Sequence, residues 1–183
     1  MNSRIWWRIS LPKRHRKLLM PFGMQEQLTK EPSINGERNT CELLIGMRRI
    51  VLDTNCLLQA LPTRSPYHKI WTDVLEGKIC LCVNTEILNE YEEVLSKKTT
   101  REIARNVVEA IARLHTTLYQ EVYIHFGLIE QDVDDNKFVD CAVAADAEYI
   151  VTNDAHFNVL KEIDWPKVVV ISIREFISQI ADM

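Results

Sequence analysis

The chain has 183 residues, 46% apolar and 26% charged, with a formal net charge of -4; this fits one globular domain with an extension and excludes wholesale disorder and collagen-like or coiled-coil chains. Eight of the 22 Lys/Arg and four of the 26 Asp/Glu fall in residues 1–46, which leaves 14 against 22, a net of -8, for residues 47–183. Such an acidic body argues against a protein that coats nucleic acid by charge, but not against an enzyme that meets phosphates through bound cations.

In chain order, residues 1–46 show no sustained period: Trp6 and Trp7 sit among basic residues, and Pro21, Gly23, Pro32 and Gly36 break any pattern. We expect a disordered tail or an over-extended start there, with the folded domain spanning 47–183 from Met47. Ile50 to Leu52 is a short apolar run that reads as a strand buried on both faces. Tyr67 to Leu75 reads as a helix stopped by Gly77, and Ile79 to Val83 as a second strand. The pattern predicts helices over Thr85–Leu95 and Arg101–Leu118, the second with Ile103, Val107, Ile111, Leu114 and Leu118 at three- or four-residue spacing. Val122 to Ile124 reads as a weak strand and Phe138 to Ala147 as a small-residue helix, apolar almost all round and so buried. Tyr149–Val151 and Val168–Ile171 are the last predicted strands, and Arg174–Ile180 a closing helix. Strands alternating with helices predict an α/β fold: a three-layer α/β/α sandwich around a parallel sheet of four to five strands.

No run approaches the roughly 20 apolar residues needed to cross a bilayer, so no membrane partner is expected. The five cysteines, Cys41, Cys56, Cys80, Cys82 and Cys141, form no C-x-x-C pair; reduced thiols in a cytoplasmic protein are the economical reading. Only five glycines occur, in neither G-x-x-x-x-G-K-S/T nor G-x-G-x-x-G spacing, so P-loop and Rossmann dinucleotide sites are disfavoured. His68, His115, His125 and His156 lack metal-ligand spacing and are expected to be solvated or capping.

Acidic residues at strand ends carry more information. In open parallel sheets, ligands bind outside the carboxyl ends of the strands. Asp53 directly follows Ile50-Val51-Leu52, and Asp154 comes three residues after Val151, so both deliver a carboxylate to the same edge. Each alone could be a turn former or helix N-cap; together they point to a site. On a helical wheel Glu90 borders the stripe of Ile87, Leu88, Tyr91, Val94 and Leu95 more closely than Glu86, Glu92 or Glu93 do. Asp140 lies in a helix otherwise made of Phe, Val, Cys and Ala, and must find a partner there. Asp135 is five residues away, about 140° around a helix, so the two are not expected to share one ligand. Converging carboxylates repel unless protonated or neutralised, and hard divalent cations are the common solution.

Val51-Leu52-Asp53-Thr54-Asn55, Glu90 in a helix ending Val94-Leu95, Asp134-Asp135-Asn136-Lys137-Phe138 and Ile150-Val151-Thr152-Asn153-Asp154 resemble PIN-domain nucleases over residues 48 to about 180. The resemblance is strongest to toxin components of bacterial and archaeal toxin–antitoxin pairs, related to VapC toxins. It implies an endoribonuclease dependent on Mg2+ or Mn2+, with Asp53, Glu90, Asp135 and Asp154 as the acidic set. The interval from Asp135 to Asp154 is about one residue longer than in many members, which keeps Asp140 among the metal-ligand candidates. Thr54, Asn55 and Thr152 match polar positions that would orient ligands or water. Lys97, Lys98 and Arg101, with Arg105, form the clearest basic cluster, a solvated helix end or a contact for the RNA backbone. The implied partners are an RNA substrate, a cognate antitoxin covering the acidic mouth, and a second copy docked through apolar helices. The competing reading is a catalytically inactive PIN-like binding or regulatory module holding a structural cation. A phosphotransfer enzyme with Asp53 as nucleophile is disfavoured, because Asn55 stands where the common Asp-x-Asp arrangement needs an acid.

Overall fold

The computed structural model describes residues 46–181; the tail expected over 1–46 lies, but for Gly46, outside them, as does Cys41. In chain order the elements are β1 (Arg48–Leu52), α1 (Thr54–Ala60), α2 (His68–Leu75), β2 (Ile79–Val83), α3 (Thr85–Lys98), α4 (Arg101–Arg113), β3 (Leu118–Tyr119), a 3-10 turn (Val133–Asp135) leading into α5 (Asn136–Ala144), β4 (Tyr149–Val151), a 3-10 helix (Ala155–Glu162), β5 (Val170–Ile171) and α6 (Ile173–Ala181). The strands form one sheet in the order β3-β2-β1-β4-β5, and every neighbouring pair is parallel. The central strands are buried on both faces, so helices cover the parallel sheet on both sides, which gives the three layers.

The central strands follow from composition. β2 is Ile-Cys-Leu-Cys-Val, buried at all five positions, and Ile50 to Leu52 of β1 are buried as well; a run without polar alternation is stable only when covered on both faces. Cys56, Cys80, Cys82 and Cys141 are free and buried, so these thiols pack as small apolar groups. Among the described residues no helix is long and apolar enough to cross a membrane.

Four elements depart from the sequence reading. The pattern missed α1, whose two turns are too short to establish a helical period; Asp53 caps it by accepting from the Asn55 amide at 3.0 Å. The helix predicted over Arg101–Leu118 ends at Arg113, with extended backbone at Leu114. Leu118 keeps the helical spacing in sequence, yet it pairs with Cys82 as part of β3: the ladder open to it on β2 overrides the local pattern. The strand expected over Val122–Ile124 is thus four residues too late, and Tyr123 and Ile124 lie exposed in irregular chain. The helix predicted over Phe138–Ala147 begins two residues earlier and stops at Ala144. Asp146 takes a left-handed conformation, which Asp tolerates better than most residues, and accepts from Arg49 at 2.8 Å.

This topology fixes where a ligand can sit. From β1 the chain runs outward through β2 to β3, then crosses back to β4 and β5 on the other side. The order reverses between β1 and β4, and a crevice opens at the carboxyl ends of strands flanking such a reversal.

Candidate active site

Asp53 and Asp154 emerge at this crevice. The Asp53 amide donates to the Val151 carbonyl at 3.1 Å, extending the β1–β4 ladder by one residue. The Asp53 side chain is 6% exposed and fully engaged. Its Oδ1 accepts from the Asn55 amide, and its Oδ2 accepts from Thr152 Oγ1 at 2.6 Å. Thr152 Oγ1 in turn accepts from the Asp154 amide at 2.9 Å, so one buried hydroxyl sets the spacing of both acids. Asp154 Oδ1 caps the following 3-10 helix through the His156 amide at 2.9 Å. The bland reading of each acid as a cap is therefore also true: the cap fixes the backbone while the carboxylate borders the crevice.

Glu90 reaches the same mouth from α3. The next residue, Tyr91, is fully buried, and its hydroxyl donates to the Leu52 carbonyl at the end of β1. That tie sets α3 against the strand, and Thr54 Oγ1 then donates to Glu90 Oε1 at 2.5 Å. Lys137 Nζ pairs with Glu90 Oε2 at 2.6 Å.

Asp135 arrives from the turn before α5. Its Oδ2 lies 3.4 Å from His156 Nδ1, which also lies 3.4 Å from Asp154 Oδ1 and 4.0 Å from Asp132 Oδ2. Ligand atoms of Asp132, Asp135 and His156 all lie within 4.8 Å of one another. Asp140 is committed elsewhere. Buried at 2% exposure, it accepts from the Phe126 amide and faces His125 Nδ1, each at 3.0 Å. It thereby holds residues 125–126 against α5. Asn55 contributes its backbone amide, while its side chain is exposed. Lys97 is paired with Glu93 at 2.5 Å, and Lys98 and Arg101 are exposed, two turns and more beyond Glu90.

The charges interact as the crowding requires. Burial pushes the Asp53 carboxyl above its ordinary value; hydrogen bonds from Thr152 and Asn55 oppose this, and the charges of Glu90 and Asp154 add to it. The Asp135 carboxyl is pushed up to about 6, first by burial and then by Asp132, with smaller contributions from Asp154 and Asp53 and a lowering contact from His156. A folded-state value above the ordinary 3.8 means that the folded chain holds a proton which the unfolded chain releases. This group's contribution to stability is therefore present near pH 4 and lost as pH rises through about 6. Asp135→Asn is expected to melt above the wild type at pH 7.5 in a chelator, with the gap closing toward pH 4.5; thermal melts giving equal gaps at both pH values would contradict this. Oxygen-donor carboxylates gathered at one mouth, with Asp53 and Asp135 pushed upward by burial and by neighbouring negative charge, are the donor chemistry that a hard divalent cation fits.

The sequence reading gives no site role to four contributing residues: Asn136 and Lys137, which it names only within a motif, and His125 and His156, which it expects to be solvated or capping. Asn136 makes three hydrogen bonds to Ile129 and Val133, and the rest act on partners 15 to 47 positions away.

The PIN domain family model matches residues 49–156. No curated protein sequence matches the chain. Similar solved structures include VapBC2 from Rickettsia felis bound to a DNA fragment from its promoter, at 18% identity over 68% of this chain and 98% of that one, TM-score 0.48. Another is DNA-bound VapBC from Salmonella typhimurium, at 22% identity over 69% and 99%, TM-score 0.49.

Proposed function

Because the chain belongs to the PIN-domain family, we propose that it is a metal-dependent endoribonuclease that hydrolyses RNA phosphodiester bonds. The observation that supports this best is the meeting of Asp53, Glu90, Asp135 and Asp154, from four separate elements, at the crevice where the strand order reverses. In this reading the four carboxylates hold Mg2+ or Mn2+. Thr152 spaces Asp53 from Asp154, Thr54 aims Glu90, and the Asn55 amide fixes Asp53. A divalent cation bound there supplies Lewis-acid polarisation of a phosphodiester and acidification of an attacking water. Asp140 serves as the anchor of residues 125–126, and Lys98 and Arg101 as peripheral contacts for the RNA backbone.

An unrestrained RNase would harm its own cell. The proposal therefore includes a cognate antitoxin covering the acidic mouth with a basic side chain, and a homodimer, in a cytoplasmic setting. The test is single-stranded RNA incubated with the full chain and Mg2+ or Mn2+, beside the same mixture with EDTA. Cleavage that needs the cation is expected. No cleavage with either ion, and no growth arrest on expression of the chain alone, would overturn the reading.

A further inference from the structure

Glu90 is gripped from two sides, and one grip is a cation supplied by the chain. The Lys137 side chain is only 15% exposed, and its ammonium lies 2.6 Å from Glu90 Oε2. It also donates to the Asp134 carbonyl at 2.6 Å and lies 5.2 Å from the centre of the buried Phe138 ring. Three contacts fix it at the acidic mouth rather than in solvent. Among the described residues it is also the only Lys or Arg lining the open groove beside Glu90, whose other charged members include Glu86, Glu93, Asp134 and Asp140.

We propose that Lys137 is an internal counter-ion of Glu90 that competes with the divalent cation for this carboxylate, and so sets the concentration at which the site loads. The inference rests on the metal-dependent reading above. A carboxylate offers about four lone-pair sites, so an ammonium and a metal can in principle share it. They would then lie within about 5 Å of each other, where like charges repel strongly at the effective dielectric of a half-buried site. Either the cation binds against that repulsion or the ammonium gives up Glu90. Both routes weaken loading relative to a site without Lys137. Lys137 is thus a positioning residue acting through Glu90. Its loss should tighten cation binding, whereas loss of a merely structural lysine would leave binding unchanged or weaken it.

The experiment is a titration of the full chain with Mn2+, following the free ion by electron paramagnetic resonance at low ionic strength. Wild type is compared with Lys137→Met, which keeps the apolar stem against Phe138, and with Lys137→Arg, which keeps the charge. Lys137→Met is expected to bind Mn2+ at least about fivefold tighter, in the usual range of site coupling, and Lys137→Arg within about twofold of wild type. In a Glu90→Gln background the same Lys137→Met change should shift affinity by less than about twofold, since the lysine has lost the group it acts through. Thermal melts establish that each variant is folded, with Lys137→Gln as the substitute if the methionine variant is not. Unchanged or weaker Mn2+ binding by the folded, uncharged variant overturns the inference. A wild type that binds no Mn2+ and cleaves no RNA would instead overturn the metal-nuclease reading beneath it.

Discussion

Asp53→Asn is expected to abolish RNA cleavage and divalent-cation binding together while leaving the fold intact. The substitution keeps the shape of a side chain that is 6% exposed. An Asn oxygen can still accept from the Asn55 amide, and Asn caps a helix as well as Asp does. Its amide nitrogen would face Thr152 Oγ1, now 2.6 Å from the carboxylate. That hydroxyl already accepts from the Asp154 amide, but it has a second lone pair, so the bond can reverse rather than break. Meanwhile one negative charge leaves a position where burial, with the charges of Glu90 and Asp154, already pushes the carboxyl upward. Melting should therefore be unchanged or slightly higher. Cleavage should fall at least about 100-fold, because even outer partners of a metal ligand cost ~10–100-fold when removed. The assay is RNA cleavage with Mg2+ or Mn2+, wild type beside the variant, with Mn2+ binding and melting in parallel. Undiminished cleavage would remove Asp53 from the site. A module holding only a structural cation would lose binding in the variant yet show no wild-type cleavage to lose.

What could be read in the sequence followed from how local each feature is. β1, β2 and β4 were legible because a doubly buried strand needs an uninterrupted apolar run, and the acid that ends the run marks the sheet edge. Glu90 was legible from its place beside the stripe of Ile87, Tyr91 and Leu95, all buried. The sequence marks Asp140 as a carboxylate in need of a partner, but that partner is an irregular segment at His125 and Phe126, which no periodicity encodes. β3 is illegible for a related reason: whether Leu118 continues a helix or joins a ladder depends on an edge of β2 thirty-six residues earlier in the chain. Lys137 and His156 are the same problem at the site. Their roles come from approach to Glu90 and to Asp135 across 47 and 21 positions, and the spacing of residues along the chain is silent about both.

Asn136→Ala is expected to damage stability and cleavage together. Asn136 is 7% exposed and lashes the preceding loop to the first turn of α5. Its Oδ1 accepts from the Ile129 amide at 2.9 Å, and its Nδ2 donates to the carbonyls of Ile129 at 2.8 Å and Val133 at 3.1 Å. Ile129 is itself buried at 1% exposure, so water cannot readily replace the lost partner. Two buried backbone groups left unsatisfied cost ~1–3 kcal/mol each, or roughly 2–6 kcal/mol together, against a total stability on the order of 5–15 kcal/mol. The loss is also directed at the site, because the tethered loop carries Asp132, Asp134 and Asp135 and supplies the carbonyl that holds Lys137. Asn136→Asp should not rescue it: an aspartate keeps an acceptor for the Ile129 amide but turns a second oxygen toward two carbonyl oxygens, repelling where the amide donated. Urea unfolding should show both variants destabilised by at least about 2 kcal/mol, and cleavage measured well below their melting points should still be reduced, because Asp135 has lost its support. A variant within about 0.5 kcal/mol of wild type, the range of ordinary surface substitutions, would mean that the three hydrogen bonds do not hold the loop, and that Asp135 is placed by the chain's path into α5 alone.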